Sequence, residues 1–526
     1  MVHQLLQSLQ CLEVSNFYSI LSSFLVLVLC FFIFKVHGVW WWSSRTSKTH
    51  YNLPPSPPTF PVIGNLHQLG TLAHRSFDAI SHKYGPLLLL RLGQSRTVLV
   101  STVELAMEIM KNQDIVFANR PFTTAAKAYL YGCIDIGFAP YGEYWTQVRR
   151  ICVQEMLSNK RVQSFNYVRV EEIDTVVKKI TSTCTAATQA GVENVINLSQ
   201  IILTINNRII SRCALGPKYA EGLHESRFGE LCREVMQLMG AFSFADYLPS
   251  VKWLDNFTGF NHKIIRTSRD LNIFLDKVVD EHLLLHKSPD SDPNRKLDLI
   301  DILIFAQKDN PNIGRDNIKA IIMDMFVGGS ETSATTMEWT MAELIKNHAV
   351  MKKAQDEIRR IVGKKAKIEE SDIIQMDYLK CVVKEILRIH PAIPTLVPRL
   401  SSKDTKLQGY DIPANTVIYI NAWTIHRNTK YWDNPEEFRP ERFINNPLDF
   451  KGQEFHYIPF GSGRRGCPGI AFGTTSIEFT IANLLYWFDW DVPSGQNMEK
   501  LDMTEAIGLT VNKKFPIYAV PTLYSP

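Results

Sequence analysis

A mainly α domain with a small β subdomain is predicted, and three observations of the sequence point to it. Long segments carry helical periodicity, for example Asp316–Asn347 and Val350–Val362. Strand-like runs are short and confined to two places, Leu87–Val100 and Gly409–Asn421, which suits a small sheet beside a helical mass. Of the 526 residues, 45% are hydrophobic and 11% aromatic, enough to bury a large core.

At the start of the chain, residues 17–34 read FYSILSSFLVLVLCFFIF, eighteen positions without a charge and close to the minimum that spans a bilayer as a helix. A transmembrane helix, acting as an anchor, is predicted over a cleaved signal. No Lys or Arg precedes the stretch and no small-x-small site ends it, while Lys35 and then Trp40, Trp41 and Trp42 follow as a snorkelling cation and an interfacial aromatic belt. Basic residues flank only the C-terminal side (Lys35, Arg45, Lys48), and the first sixteen residues carry Glu13 alone among charged groups. The positive-inside rule therefore puts the body in the cytosol and residues 1–16 on the far side of the membrane. Residues 35–61 form a linker ending in Leu53-Pro54-Pro55-Ser56-Pro57-Pro58-Thr59-Phe60-Pro61, whose prolines fix φ and favour a stiff extended hinge. No repeat or second linker interrupts 62–526, which reads as one large domain.

Charge and cysteine usage narrow the partners. Lys and Arg total 57 against 53 acidic residues, and the net charge of +4 is spread along the chain, which argues against nucleic acid. Nine cysteines form no C-x-x-C pair and read as reduced thiols, most of them small buried hydrophobes.

The segment Pro459–Gly469 is the richest in chemistry. Its glycines let the backbone pass close under a flat object and aim Cys467 at it, with amide donors from Gly469 and its neighbours to tune the sulfur and Arg465 free to meet an anionic rim. Gly461–Gly466 also matches the dinucleotide pattern G-x-G-x-x-G. Too little chain follows to build a doubly wound sheet, and two arginines stand where a pyrophosphate would lie. Phe460, Gly463, Arg465, Cys467 and Gly469 fill every fixed position of F-x-x-G-x-R-x-C-x-G, and on these residues the chain resembles the cytochrome P-450 superfamily. The resemblance implies that Cys467 is the axial ligand to the iron of haem b.

Three further motifs follow from it. Glu385-Ile386-Leu387-Arg388 matches the family's E-x-x-R; an acid and a guanidinium three apart share a helix face, and Arg442 in Pro440–Phe443 completes a structural cluster supporting the haem loop. Gly328-Gly329-Ser330-Glu331-Thr332-Ser333 lies inside a helix running roughly from Asn317 to Lys346, where each glycine costs about 1 kcal/mol relative to alanine. Close helix packing is one reason for them. The family pattern implies another: room for dioxygen, with Glu331 and Thr332 relaying protons. Trp145 and Arg149, at i and i+4, match the pair that binds a haem propionate, and Arg399 is a further propionate partner.

The resemblance to the plant microsomal group rests on the hinge, Gly409–Pro413 and Ala422-Trp423. It implies a monooxygenase that oxidises a small apolar specialised metabolite (terpenoid, alkaloid or phenylpropanoid) with dioxygen and electrons from an NADPH-dependent reductase, which docks near Arg464 and Lys451. The substrate pocket falls at Phe122–Ile136, Asp324 and Met325, Ile393–Val397 and Ile507–Leu509. An oxygen-independent isomerase or dehydratase, and a non-catalytic haem protein, are the rivals.

Overall fold

The computed structural model describes Ser23 and residues 51–525, apart from 221, 288–294 and 311. Helices dominate. Those that shape the site are α1 (Glu143–Ile151), α2 (Leu198–Leu215), α3 (Arg315–Lys346), α4 (Asp377–Ile389) and α5 (Ile470–Trp487). The predicted segments 316–347 and 350–362 appear as α3 and as the helix His348–Val362. Apart from Ser23, the predicted span 17–34 lies outside the described residues. No helix among the described residues is long and apolar enough to cross a membrane.

α3 is the axle of the fold. From Ser333 to Ile345 each of its residues is buried, the mark of a helix packed on all sides. It packs on α2, α4 and α5, and an added Cβ at Gly473 of α5 would lie 3.6 Å from Ser333 Oγ.

The run Leu87–Val100 becomes the antiparallel hairpin of β1 (Leu87–Leu92) and β2 (Ser95–Val100), with Leu88 opposite Leu99. Two more short strands enter the chain order below it, β3 (Ile196–Asn197) and β4 (Arg399–Leu400). β5 (Val417–Ile420) joins β2 in parallel, Val98 beside Ile418, and β4 closes the sheet against β5, giving the order β1-β2-β5-β4. This places Arg399 on a sheet edge.

A second sheet was not expected from the sequence: β6 (Phe488–Asp491) and β3 both pair with β7 (Tyr518–Leu523). The physical reason is plain. β6 continues the apolar run of α5 without a break, β3 has two residues, and β7 contains Pro521, which argues against a central strand.

By contact density the described chain forms two units, 54–408 with 412–525, and a small one joining residues 51–53 to 409–411. Within the small unit Asn52 N donates to Asp411 Oδ2 at 2.7 Å.

Candidate functional site

The cysteine loop is built by close backbone approach. Gly463 has φ +71°, and a Cβ there would lie 2.2 Å from Met110 O, so only glycine fits. Cys467 N donates to Phe460 O at 2.9 Å, folding the loop back on itself, and Phe460 packs edge-on against Phe450. The Cys467 thiol is accessible yet densely surrounded. That surrounding raises its pKa, while the Gly469 amide and Arg149 pull it down.

Around the loop stand four guanidinium groups. Trp145 on α1 is buried, its indole N–H donating to Ile136 O at 2.9 Å, with Arg149 and Arg465 over its ring at 5.3 and 4.2 Å. Arg149 donates to Gly466 O at 2.5 Å, Arg465 to Ala118 O at 2.6 Å, and Arg399 to Ser462 O at 2.7 Å and Asp114 Oδ1 at 2.8 Å. Arg120, which the sequence reading passed over, joins them with bonds to Val397 O and Pro398 O at 2.5 and 2.9 Å. Its signal was a lone arginine, in Asn119-Arg120-Pro121, beside an apolar stretch.

Burial depresses the pKa of all four, and mutual repulsion adds to it at Arg120 and Arg465, the latter pushed down to about 9. Most of their partners are carbonyls, and the carboxylate bound in the cluster is Asp114. A buried group of cations short of counter-charge, next to an accessible thiol, has the chemistry to hold a flat dianionic cofactor with its metal on sulfur.

Behind the loop sits the predicted support. Glu385 and Arg388 are buried on α4, and Arg442 Nε donates to Glu385 Oε1 at 3.2 Å. Arg388 Nη1 also donates to His426 O at 3.0 Å. His426 was not singled out from sequence; burial, together with Arg388 and Arg427, drives its pKa down to about 3, so its neutral Nε2 accepts from Ile458 N at 3.0 Å. The cluster thus reaches the loop in three steps.

α3 carries the other half of the site. A Cβ at Gly328 would meet nothing within 4 Å, whereas one at Gly329 would lie 3.0 Å from Ile210 Cδ1. Close packing on α2 therefore accounts for Gly329 but not for Gly328. Asn206 on α2 donates to the Gly329 carbonyl at 3.0 Å, and Thr332 Oγ1 donates to Gly328 O at 2.6 Å. Thr332 and Glu331 are both half-buried, and burial raises the Glu331 pKa.

The expected pocket segments come with some differences. Asp324 is tied to the segment 135–137, accepting from Ile136 N at 2.7 Å, and burial pushes its carboxyl and that of Asp135 upward. Leu396 has φ +51° in the turn Ile393–Val397, a left-handed conformation a leucine adopts only when its surroundings impose it. Ile507 is exposed. Arg464 and Lys451 are exposed beside the loop, where Lys111, Asp114, Lys451 and Gly463 bound a surface cleft of about 450 Å³.

A cationic cradle about a cysteine, with a helix bearing an adjacent acid and alcohol, has the residues that a site of the haem-thiolate class would need. Comparison with known proteins names the family. The sequence model described as Cytochrome P450 matches residues 54–518, and the chain belongs to the cytochrome P450 family. It is 51% identical to cytochrome P450 71A1 of Persea americana over 87% of this chain and 91% of that protein. It is 49% identical to the phenylacetaldehyde oxime monooxygenase of Prunus mume over 96% and 95%, and 43% identical to the indoleacetaldoxime dehydratase of Arabidopsis thaliana over 91% and 95%. A zebra fish cytochrome P450 solved with progesterone superposes with a TM-score of 0.74 at 24% identity, covering 86% of this chain and 100% of that one, a likeness of fold. The protein is an oxidoreductase of a mainly helical P450 fold, in a family that works with haem b and oxygen.

Proposed function

We propose that the chain is a haem-thiolate monooxygenase that inserts one oxygen atom into a small apolar aromatic plant metabolite, with arylacetaldehyde oximes the first substrates to test. The observation that carries the reaction class is the adjacent Glu331 and Thr332 on α3, with Thr332 Oγ1 donating to Gly328 O at 2.6 Å. The names of two relatives, at 49% and 43% identity, supply the substrate class.

Bound haem supplies activation of dioxygen with two electrons from an NADPH-dependent reductase, and the protein supplies the rest. Cys467 holds the iron; Arg120, Arg149, Arg399 and Arg465 neutralise the propionates; Trp145 orients two of those arginines. Glu331 and Thr332 pass a proton at the right moment, which is general acid catalysis. Glu385, Arg388 and Arg442 brace the cysteine loop. Lys451 and Arg464 give the reductase a basic landing beside it, and residues 17–34 anchor the body, 62–526, on the cytosolic side of the endoplasmic reticulum.

The test is to incubate the full chain, reductase and NADPH with phenylacetaldehyde oxime under dioxygen and then without it. Product carrying one labelled oxygen atom is expected only with dioxygen. Equal turnover without dioxygen favours the second reading, an oxime dehydratase, which the 43% identical relative makes specific. For the anchor, removing residues 1–34 is expected to release protein from membranes with its haem spectrum intact; loss of that spectrum would defeat the anchor-and-body division.

A further inference from the structure

Residues 504–514 form a hairpin whose ladder is Glu505 opposite Lys513, with Ala506 N donating to Asn512 O at 2.8 Å and Lys514 N to Thr504 O at 2.8 Å. It is held from several directions. At its base the Glu505 carboxylate meets Arg75 Nε at 2.5 Å and His74 Nε2 at 3.2 Å. Near its tip Val511 O accepts from Trp339 Nε1 at 2.9 Å while Val511 N donates to Ala392 O at 3.0 Å. Trp339 is itself immobilised, stacked on His390 at 4.1 Å between ring centres and 1° between planes, with His390 bound to Glu343 at 2.7 Å. The turn is tight: a Cβ on Gly508 would lie 2.7 Å from Thr510 O.

What this framework aims is Thr510. The residue is 3% exposed, and its hydroxyl donates to Glu331 Oε2 at 3.1 Å. Two elements far apart in sequence, α3 and the hairpin, thus meet at the carboxyl to which proton delivery was assigned above.

We propose that Thr510 is a positioning residue for Glu331: its clamped hydroxyl fixes one carboxylate oxygen, gives the side chain a single orientation, and couples it to the turn Ile507–Leu509. The inference rests on the proton-relay reading of Glu331 and Thr332 and extends it. A donor hydroxyl favours the ionised carboxylate over the neutral acid, so Thr510 opposes the effect of burial on Glu331. The charged groups on the elements packed there, Glu338 on α3 and Glu505 and Lys513 on the hairpin, are not among the causes of that shift.

The experiment uses the haem-loaded full chain with Thr510→Val and Thr510→Ser, read in two ways. The first is infrared titration of the protonated-carboxyl band, assigned by its loss in Glu331→Gln. The midpoint is expected to rise in Thr510→Val and to return in Thr510→Ser. The second is hydrogen peroxide released per NADPH with phenylacetaldehyde oxime present, expected to rise about two- to tenfold in Thr510→Val, the scale of one hydrogen bond, and to recover in the serine variant. Thr510→Ala makes the same comparison if the valine variant does not load haem. A band and a peroxide ratio unchanged in the variants lacking the hydroxyl, while Glu331→Gln raises peroxide, overturn the role of Thr510. Unchanged peroxide in Glu331→Gln instead overturns the relay reading, and the infrared shift then stands or falls independently.

Discussion

Arg388 and Glu385 meet deep inside the protein as a two-pronged pair, Nε to Oε2 at 2.7 Å and Nη2 to Oε1 at 2.8 Å, with neither side chain exposed at all. Removing one partner strands the other's charge, which costs about 3–5 kcal/mol at a buried site. Because Arg388 also holds the backbone at His426, Pro435 and Glu437, Glu385→Ala is expected to lower thermal stability and the yield of haem-loaded protein together. Wild-type melting and a wild-type Soret yield in that variant would show the cluster to be incidental.

Cys467→Ser addresses the proposed iron ligand. A thiolate is a stronger axial donor than an alcohol, and it shifts the Soret band of the reduced, carbon-monoxide-bound protein to the red. The serine variant is expected to lack that band while remaining folded by circular dichroism. Its persistence would assign the iron to another residue.

Arg120 offers a test in which the sign decides. Burial and three neighbouring arginines all disfavour its charge. With an anion to bind, Arg120→Gln loses a charge-assisted bond of about 1.5–3 kcal/mol, so haem transfer to apomyoglobin is expected to quicken roughly ten- to hundredfold. Arg464→Gln, on the surface, is the control. If no propionate lies at Arg120, relief of repulsion makes the glutamine variant more stable and leaves haem retention unchanged.

How much of this was legible depends on where partners lie along the chain. Cys467, Arg465, Gly463 and Phe460 sit within eight positions, and Glu385 with Arg388 within four, so their relationship is written locally. Helical periodicity exposed α3 and the helix after it because both run for four turns or more. Arg120, His426 and Thr510 gain meaning only through contacts more than thirty residues distant in sequence, to Val397, to Ile458 and to Glu331. Strand β7 was hidden for a different reason: Pro521 contradicts the local rule, and the pairing with β6 prevails over it. The two glycines of α3 looked alike in sequence, and only the position of Ile210 separates them.

Glu505 gives the fold an acid limit. Burial alone would raise its pKa, but the bonds from His74 and Arg75 outweigh it and hold the carboxyl down at about 2. A folded-state pKa below the unfolded one contributes stability that is complete above the unfolded value, about 4.3, and is lost as the pH falls toward 2. Glu505→Gln is therefore expected to be less stable than wild type at pH 7, with the gap closing progressively below pH 4.5. Urea unfolding at a series of pH values measures it, and a gap independent of pH would mean that packing, not charge, ties the hairpin to Arg75.

Thr332→Ala tests the relay in its simplest form. The hydroxyl donates to Gly328 O, a helix carbonyl with its own place in the ladder, so its loss leaves α3 standing; the cysteine loop and the arginine cluster are untouched. Haem content and substrate binding are accordingly expected to match wild type. What changes is the fate of the electrons: without the alcohol the proton arrives badly timed, NADPH is still consumed, product falls and hydrogen peroxide rises. General acid groups contribute roughly 10² to 10⁴-fold, and since water substitutes in part for a missing hydroxyl, the lower end is expected for product formed per NADPH oxidised. Thr332→Ser, which restores the hydroxyl without the methyl, is expected to recover most of that ratio. A ratio unchanged by alanine would reduce Thr332 to a packing residue on α3 and shift the weight of the site toward the oxygen-independent reaction.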